Sequence, residues 1–361
     1  MPFSLIPSWL AQALSDCAPH PITGLALSAL GFLTVARWFY SFLTYTYLLL
    51  KPSKLDRYLY DSRDGKPAWA LVTGATSGIG LALSHELARH GFCVVIHGRN
   101  KSKLDAVETE LRAAHPGREF RQLVADASHV PCTNCLSVQE QGTARNVSSF
   151  VDFDSIVKQL SHLHLTVLIS NAGNGPTPTY GTLESYSQSM ITSTVSLNAL
   201  FPLHLVARLL PTIDGNSPSL IIQIGSMSAN FLPLLASYSS SKAFIRGVFG
   251  CVAREMRLTN RTGVEMILMR VGRVTGVQHE DGQPSWTMPD AKVFAKAALG
   301  WVGSGRSEVI PWWGHAFQQA FLVEVMPDWL RERVFLRVMR GLWEEQRAKE
   351  KQQCRSRFGF W

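Results

Sequence analysis

The stretch Thr73-Gly74-Ala75-Thr76-Ser77-Gly78-Ile79-Gly80 decides the fold of this chain. The short apolar run 68–72 before it predicts a buried strand, and residues 81–90 after it predict a helix. Glycine leaves room where a backbone turns tightly against a pyrophosphate, and a helix N-terminus adds free N–H groups. The candidate phosphate-binding residues are Gly74, Thr76, Ser77, Gly78, Ile79 and Gly80. The glycine spacing by itself also fits a tight turn that binds no ligand.

Short apolar runs alternate with helical patterns through the middle of the chain. The runs are 70–72, 94–96, 123–124, 167–169, 220–224, 264–269 and 309–310. This alternation is typical of parallel strands that are covered by helices on both faces, so we predict an α/β fold. The polar segment 131–149 has no periodicity and is predicted to be an exposed insertion.

Composition predicts a folded protein with an additional apolar part. Of the 361 residues, 46% are hydrophobic and 17% are charged, and the net charge is +8. The positive charge collects after Lys51 and toward the C-terminus, without a zinc-finger or RNA-binding motif. A membrane surface or a phosphorylated ligand therefore explains it better than a nucleic acid. Cys132 and Cys135 lack the further ligands of a zinc site, so we interpret them as loop cysteines and predict no metal.

Residues 21–50 form a long apolar and aromatic segment that suits a bilayer span, after a mixed N-terminal segment 1–20. Arg37 near its middle costs roughly 2.5–3.5 kcal/mol on insertion scales, which the surrounding apolar side chains offset. A membrane anchor, spanning or lying in the membrane plane, is favoured over a helix that docks on the protein. The linker 51–65 begins with basic residues, so the positive-inside rule predicts that the following domain faces the cytosol.

Polar residues follow three of the predicted strands. Arg99 comes after the second strand, and no carboxylate lies between Phe92 and Leu104. A carboxylate there would bind the ribose 2′-hydroxyl of NAD, whereas an arginine pairs with the 2′-phosphate of NADP. Asp126 after the third strand either accepts hydrogen bonds from an adenine amine or caps the next element. Asn171-Ala172-Gly173 after the fourth strand either lets a bound ring approach the backbone or forms an ordinary turn.

Tyr238 and Lys242 lie four residues apart at the start of a predicted helix, so both side chains leave one helix face. A tyrosine has an ordinary pKa of about 10, and a neighbouring ammonium lowers it toward the working range of a proton donor. Ser226, twelve residues upstream at a strand end, can hydrogen-bond a substrate carbonyl, and Ser228 is the alternative. A Tyr–Lys pair alone is common on protein surfaces, so its meaning depends on the other motifs.

In combination, these motifs resemble the short-chain dehydrogenase/reductase family over residues 66–312. The glycine-rich turn, the Asn-Ala-Gly segment, Asn198 and the set Ser226, Tyr238 and Lys242 occur in the order of that family. The resemblance implies a Rossmann-type, doubly wound parallel sheet of about seven strands that uses NAD or NADP to interconvert ketones and alcohols, and Arg99 favours NADP(H). It implies that Tyr238 is the acid/base and that Ser226 polarises the carbonyl. Lys242 would hold the nicotinamide ribose and tune Tyr238, and Asn198 would position a relay water.

Two features depart from the family pattern. Val274 and Thr275 fall where the family binds the nicotinamide amide, but Val271 stands in place of the usual proline, so a less rigid turn is expected. The spacing from Ser226 to Tyr238 is one residue shorter than usual, which keeps Ser228 open as the carbonyl-binding serine.

Within the family, the layout resembles the microsomal ketoreductases of the 17β-hydroxysteroid dehydrogenase and very-long-chain 3-oxoacyl-CoA reductase type. The apolar segment precedes Lys51-Pro52-Ser53-Lys54-Leu55, the catalytic domain follows, and residues 313–361 form an amphipathic helical region with a basic tail. That region rests on a membrane or closes a lipid pocket, or else it packs on its own domain. The resemblance implies an NADPH-dependent enzyme of lipid metabolism at the endoplasmic reticulum membrane.

The expected substrate is the ketone of a lipophilic small molecule, either a 3-oxoacyl thioester or a steroid-like compound. Two other enzymes fit the same residues: an oxidising NAD-dependent dehydrogenase and a reductase of polyketide-like specialised metabolites. A catalytically silent NADP-binding membrane scaffold is the alternative from another class. The sequence leaves the oligomeric state open, and a homodimer is compatible with it.

Overall fold

The structure, a computed structural model, describes residues 21–131, 150–175, 179–277 and 282–358. The chain divides into two compact units, Met1–Pro52 and Ser53–Trp361. The N-terminal segment 1–20 lies outside the described residues, as does the predicted insertion 131–149 with Cys132 and Cys135, apart from its first residue.

Seven parallel strands form the sheet of the second unit, which confirms the predicted doubly wound α/β fold. The strands are β1 (Ala68–Thr73), β2 (Cys93–Gly98), β3 (Phe120–Val124), β4 (His164–Ser170), β5 (Ser219–Ser226), β6 (Val264–Val271) and β7 (Glu308–Val309). Their order in the sheet is β3-β2-β1-β4-β5-β6-β7. The chain therefore moves outward from β1 to β3 and then crosses to β4 on the other side of β1. The crevice between the carboxyl ends of β1 and β4 is the switch point at which such sheets bind ligands.

The continuous apolar runs of the sequence correspond to strands that are buried on both faces. Every residue of β1, β2 and β4 is buried. Side chains that belong to one large core cluster include Leu71, Val95 and Leu168. β3 lies at the edge of the sheet, and Val124 at its end is half exposed. Burial on both faces explains why the strands show little alternation between apolar and polar residues.

Helices flank the sheet and extend both ends of the chain. They are α1 (Pro21–Leu50), α2 (Gly78–His90), α3 (Lys101–Ala114), α4 (Phe153–Leu160), α5 (Gln188–Val195), α6 (Phe201–Gly215), α7 (Ala236–Leu258), α8 (Ala291–Gly300), α9 (Trp313–Gln319) and α10 (Asp328–Phe358). A π-helical turn, Ser196–Leu200, joins α5 to α6, and another, Ala320–Val325, follows α9. A 3-10 turn, Met227–Asn230, follows β5.

In the part of the chain that the structure describes, two helical segments are long and apolar enough to cross a membrane. The first, Gly24–Leu50 in α1, has a mean hydropathy of 1.3 and none of its apolar window is buried, and it coincides with the predicted anchor. The second, Gln188–Gly215, is 44% buried. Its side chains Phe201, Leu205 and Leu209 belong to the core of the second unit, so it is a core helix of the catalytic fold.

Candidate active site

The turn between β1 and α2 has the tight backbone that a phosphate cradle requires. Gly74 adopts a φ of +66°, and a Cβ on it would lie 2.9 Å from the Cα of Ala172. A Cβ on Gly80 would lie 2.2 Å from the carbonyl oxygen of Gly74. Ser77 precedes α2 in an extended conformation and its side chain makes no capping bond. The first amides of α2 are therefore available to an anion, at the positive end of the helix dipole.

Arg99 and Asp126 lie at the carboxyl ends of the neighbouring strands β2 and β3. Arg99 is exposed, whereas the Asp126 carboxylate accepts hydrogen bonds from the amide and the hydroxyl of Ser128, at 3.0 and 2.7 Å. Partial burial opposes ionisation of Asp126. The Ser128 hydrogen bonds and the nearby Arg99 guanidinium outweigh it and hold the pKa of Asp126 below its usual value. A fixed acceptor and an exposed cation thus stand side by side at the predicted adenosine end.

Asn171 connects the two strands that border the crevice. Its Nδ2 donates to the carbonyl oxygen of Thr73 at 2.9 Å, and its amide nitrogen donates to the Thr73 hydroxyl at 2.9 Å. The same hydroxyl accepts a hydrogen bond from the amide of Ala172 at 2.9 Å. Asn171 therefore shapes the wall of the crevice through bonds within the protein, and the small residues after it leave the backbone accessible.

Ser226, Ser228 and Tyr238 come together at the carboxyl end of β5. The hydroxyls of both serines lie close enough to the phenol of Tyr238 to lower its pKa. The two serine oxygens lie 2.8 Å apart, and Ser226 Oγ also accepts a hydrogen bond from the amide of Ser228 at 3.1 Å. The two serines left open by the sequence thus form a hydroxyl pair, and both lie close to the predicted acid/base.

Burial controls the acid–base properties of Tyr238 and Lys242. It raises the pKa of Tyr238 above its usual value, although the two serine hydroxyls lower it. Lys242 is buried, which lowers its pKa to about 8. Its Nζ lies 5.9 Å from the centre of the Tyr238 ring and donates to the carbonyl oxygen of Ile224 at 3.3 Å. The geometry differs from the expectation that Lys242 lowers the Tyr238 pKa, because the ammonium is directed to a backbone carbonyl and burial dominates.

Asn198 occupies the π-helical turn between α5 and α6, and such turns are frequent at functional sites. Its Nδ2 donates to the carbonyl oxygens of Asn174 and Thr194, at 2.7 and 2.9 Å. Its Oδ1 is buried and has no hydrogen-bond partner among the residues that the structure describes. A Cβ on Gly173 would lie 2.7 Å from this oxygen and 2.8 Å from Lys242 Nζ. Two polar groups therefore converge beside a residue without a side chain, an arrangement that suits a relay water.

The segment after β6 is held by a histidine that sequence reasoning missed. His315 in α9 is fully buried, and burial lowers its pKa. Its Nδ1 accepts from the amide of Gly272 at 3.3 Å, so its Nε2 carries the proton and donates to the carbonyl oxygen of Arg273 at 3.0 Å. Thr275 is fixed further on, since its amide donates to the carbonyl oxygen of Pro289 at 2.9 Å. The predicted residue Val274 is buried between these two attachments.

The C-terminal helices reach the loops around the site, in agreement with the alternative in which residues 313–361 pack on their own domain. Gln319 accepts hydrogen bonds from Asn230 and from the buried Arg270, at 3.1 and 2.9 Å. Gln346 in α10 accepts from the amide of Tyr180 at 2.9 Å and donates to its carbonyl oxygen at 3.1 Å. The C-terminal region therefore packs on the catalytic fold at the carboxyl ends of the strands.

These residues fit a nicotinamide dinucleotide on three observations. The glycine turn leaves no room for side chains, the exposed Arg99 follows β2 at the carboxyl edge of the sheet, and Asn198 Oδ1 is a buried acceptor without a partner in the described parts of the chain. The proton-transfer groups lie at the same edge of the sheet, where β5 ends and α7 begins. All predicted site residues thus lie at or near the carboxyl ends of the strands.

Comparisons with known proteins agree with this geometry. A model of the short chain dehydrogenase family matches residues 68–283. The very-long-chain 3-oxoacyl-CoA reductase of Podospora anserina is 30% identical over 322 residues, which are 86% of each chain. The protein of that name from Pyricularia oryzae is 28% identical, over 81% of this chain and 83% of that protein. The crystal structure of a metagenomic short-chain oxidoreductase in complex with NADP is 25% identical, with a TM-score of 0.50, over 67% of this chain and 96% of that chain.

Proposed function

Since the chain belongs to the short-chain dehydrogenase family of oxidoreductases, we propose that it is an NADPH-dependent ketoreductase that acts on a lipophilic substrate at a membrane. The observation that carries the proposal is the cluster of Tyr238 with the hydroxyl pair of Ser226 and Ser228, together with the buried Lys242, whose Nζ lies 5.9 Å from the centre of the Tyr238 ring. This arrangement offers a ketone oxygen hydrogen-bond donors and a proton at one place.

Each side chain then has one task in the reduction. NADPH, when bound, supplies the hydride that adds to the carbonyl carbon. The serine pair hydrogen-bonds the carbonyl oxygen, and Tyr238 Oη gives its proton to that oxygen as the C=O bond becomes CH–OH. The raised pKa of Tyr238 keeps the phenol protonated until this step. Lys242 and a water at Asn198 Oδ1 return a proton to the phenolate.

NADP(H) is the cofactor, and Arg99 is the residue that selects it. Arg99 stands where a carboxylate would favour NAD, and Asp126 lies after the next strand. A relative of 25% identity that is solved in complex with NADP supports this choice. Reduction is the favoured direction, because the cytosol keeps NADPH as a reductant.

The substrate class is a 3-oxoacyl thioester with a long acyl chain, which is reduced to the 3-hydroxyacyl thioester. Two relatives of 28% and 30% identity, matched over more than four fifths of the chain, carry the name very-long-chain 3-oxoacyl-CoA reductase. The apolar helix α1 supports a membrane location, because none of its apolar window is buried. Basic residues after α1 favour a cytosolic catalytic unit, and we assign the membrane to the endoplasmic reticulum.

The test is NADPH oxidation by the detergent-extracted full chain with 3-oxoacyl-CoA thioesters, steroid ketones and polyketide-like ketones. Tyr238→Phe is expected to lower turnover about 10²–10⁴-fold, because it removes the proton donor while the ring still packs. Tyr60→Phe is the matched control, since its hydroxyl bonds the backbone of Asn216 near the opposite edge of the sheet. Near-full turnover by Tyr238→Phe would contradict the mechanism. NADPH binding by the wild type without turnover of any ketone would favour the silent scaffold instead.

A further inference from the structure

Four large aromatic side chains form a continuous exposed surface outside the site. Trp313, Phe317 and Phe321 follow one another at four-residue intervals along α9 and the π-helical turn after it. Trp286 lies 5.7 Å from Trp313 and 5.9 Å from Phe317 between ring centres, and Phe317 lies 6.3 Å from Phe321. The exposed fractions are 51% for Trp286, 43% for Trp313, 57% for Phe317 and 49% for Phe321. We call these four residues the aromatic ridge.

The ridge is fixed in its exposed position by the opposite face of the same helical segment. His315 and Gln319 lie on that inner face, where they bind Gly272 and Arg270 at the end of β6. Trp286 is attached as well, because its carbonyl oxygen accepts a hydrogen bond from the Trp312 indole at 2.6 Å. Rotation of the segment to bury the ridge would break these bonds.

The ridge is large for a solvent-facing apolar surface. Four aromatic side chains, each about half exposed, present roughly 300–500 Å² of apolar area. Apolar patches of that size on a soluble monomer are the largest it carries, and they mark interaction sites.

The charges that follow the ridge match an anionic lipid surface. Residues 322–340 contain four arginines and three carboxylates, and Arg331 pairs with Asp328 at 2.6 Å. Of these, Arg333, Arg337 and Arg340 are exposed, and Arg333 lies 5.3 Å from the centre of the Trp329 ring. Tryptophan and arginine side by side are typical of the level where acyl chains meet phosphate headgroups. The same chain carries α1, a candidate membrane span, so a bilayer is the partner within reach.

We propose that the aromatic ridge inserts into the boundary between headgroups and acyl chains of an anionic phospholipid bilayer. On the inner face of the helical segment that carries the ridge, Gln319 contacts Arg270 and Asn230, beside the serine pair. The wall of the reaction site thus lies within about one helix diameter, ~10–12 Å, of the lipid. A lipophilic ketone then enters from the membrane and not from water. This last step rests on the proposed function, whereas insertion of the ridge does not.

Photocrosslinking of the full chain in vesicles of phosphatidylcholine and phosphatidylserine tests the insertion. Benzoylphenylalanine replaces Phe317 or Phe321 in the ridge, or Leu258 as the control. Leu258 is an apolar residue that is 82% exposed at the end of α7, away from the carboxyl edge of the sheet. Thermal melting compared with the wild type identifies any variant that does not fold. Two ridge positions are used so that the test still works if the variant at one of them does not fold.

We expect phospholipid adducts from both ridge positions and none from Leu258. Absence of lipid adducts at both ridge positions in folded protein would overturn the proposal, as would adducts that join two copies of the chain. The crosslinking readout needs no turnover, so it can be interpreted even if the proposed ketoreductase activity is not found.

Substrate entry from the membrane is tested with the double variant Phe317→Ser and Phe321→Ser. This variant is expected to raise KM for a long-chain ketone in vesicles several-fold, and to leave KM for a short water-soluble ketone unchanged. An equal KM for the long-chain ketone would refute entry from the membrane.

Discussion

Gly80→Ala tests whether the glycine turn is built by close backbone packing. The new Cβ would lie 2.2 Å from the carbonyl oxygen of Gly74 and 2.6 Å from Asn171 Nδ2. The first contact is with backbone, so the turn itself must move, and overpacking of this kind costs ~1–3 kcal/mol. The better helix propensity of alanine returns at most ~1 kcal/mol, since Gly80 lies in the first turn of α2. We expect the free energy of unfolding to fall by about 1–2 kcal/mol.

Gly247→Ala is the matched control, because Gly247 is exposed in the middle of α7 and an added Cβ meets nothing within 4 Å. Helix propensity predicts that this change stabilises the protein by up to ~1 kcal/mol. Thermal melting in detergent measures both changes, at roughly 2–4 °C per kcal/mol for a domain of this class. Titration with NADPH adds the functional readout: the Kd should rise in Gly80→Ala, whose phosphate turn is displaced, and stay constant in Gly247→Ala. Wild-type melting together with a wild-type Kd in Gly80→Ala would refute the reasoning.

Four further substitutions test single residues of the site. Arg99→Ala should raise KM for NADPH about tenfold or more, because a charge-assisted hydrogen bond is worth ~1.5–3 kcal/mol. It should leave KM for NADH unchanged. Equal effects on KM for both cofactors would show that Arg99 does not select NADPH. Ser226→Ala should lower kcat about 10²-fold, because it removes the hydrogen-bond donor to the substrate carbonyl, and Ser228→Ala should lower kcat less. The reverse order of the two effects in steady-state assays would identify Ser228 as the carbonyl-binding serine. Lys242→Met should abolish activity but raise stability at pH 7, because the pKa of Lys242 falls from 10.5 to about 8 on burial and the wild type carries that penalty below pH 8. Between pH 8 and 10.5 the lysine is protonated in the unfolded chain and neutral in the folded one, so the wild type gains stability as the pH rises through that window. The stability advantage of Lys242→Met should therefore shrink. A difference in unfolding free energy between the two proteins that stays constant from pH 7 to 10.5 would contradict the buried ammonium.

The sequence predicted those parts of the fold whose signals are local. A buried parallel strand is a short apolar run, and the residue after it lies at the carboxyl edge of the sheet, whatever the rest of the chain does. For this reason Gly74, Arg99, Asp126 and Asn171 could each be placed at that edge from the strand pattern alone. Tyr238 and Lys242 could be paired because four residues are about one helical turn.

The remaining contacts join distant parts of the chain, and no local pattern encodes them. Gln346 lies 166 residues from Tyr180, and a glutamine on an exposed helix face looks the same whether or not it bonds a distant loop. The unpaired Oδ1 of Asn198 depends on a π-helical turn that residue type does not reveal. The raised pKa of Tyr238 depends on how deeply the whole core buries the phenol, which spacing along one helix does not determine.

The segment after β6 shows how a tertiary contact replaces a local one. A proline fixes its own φ through its ring, so a chain with Val271 at that position loses this local restraint. Here His315 binds the two residues that follow, through the amide of Gly272 and the carbonyl oxygen of Arg273. The pairing needs a neutral imidazole with its proton on Nε2, and burial lowers the pKa of His315 in the direction that keeps it neutral. The contact also leaves no space for another residue at Gly272, where a Cβ would lie 2.6 Å from the imidazole. Helix α9 therefore holds this segment in place. The conformation of the segment predicted to bind the nicotinamide thus depends on residues outside the family motif.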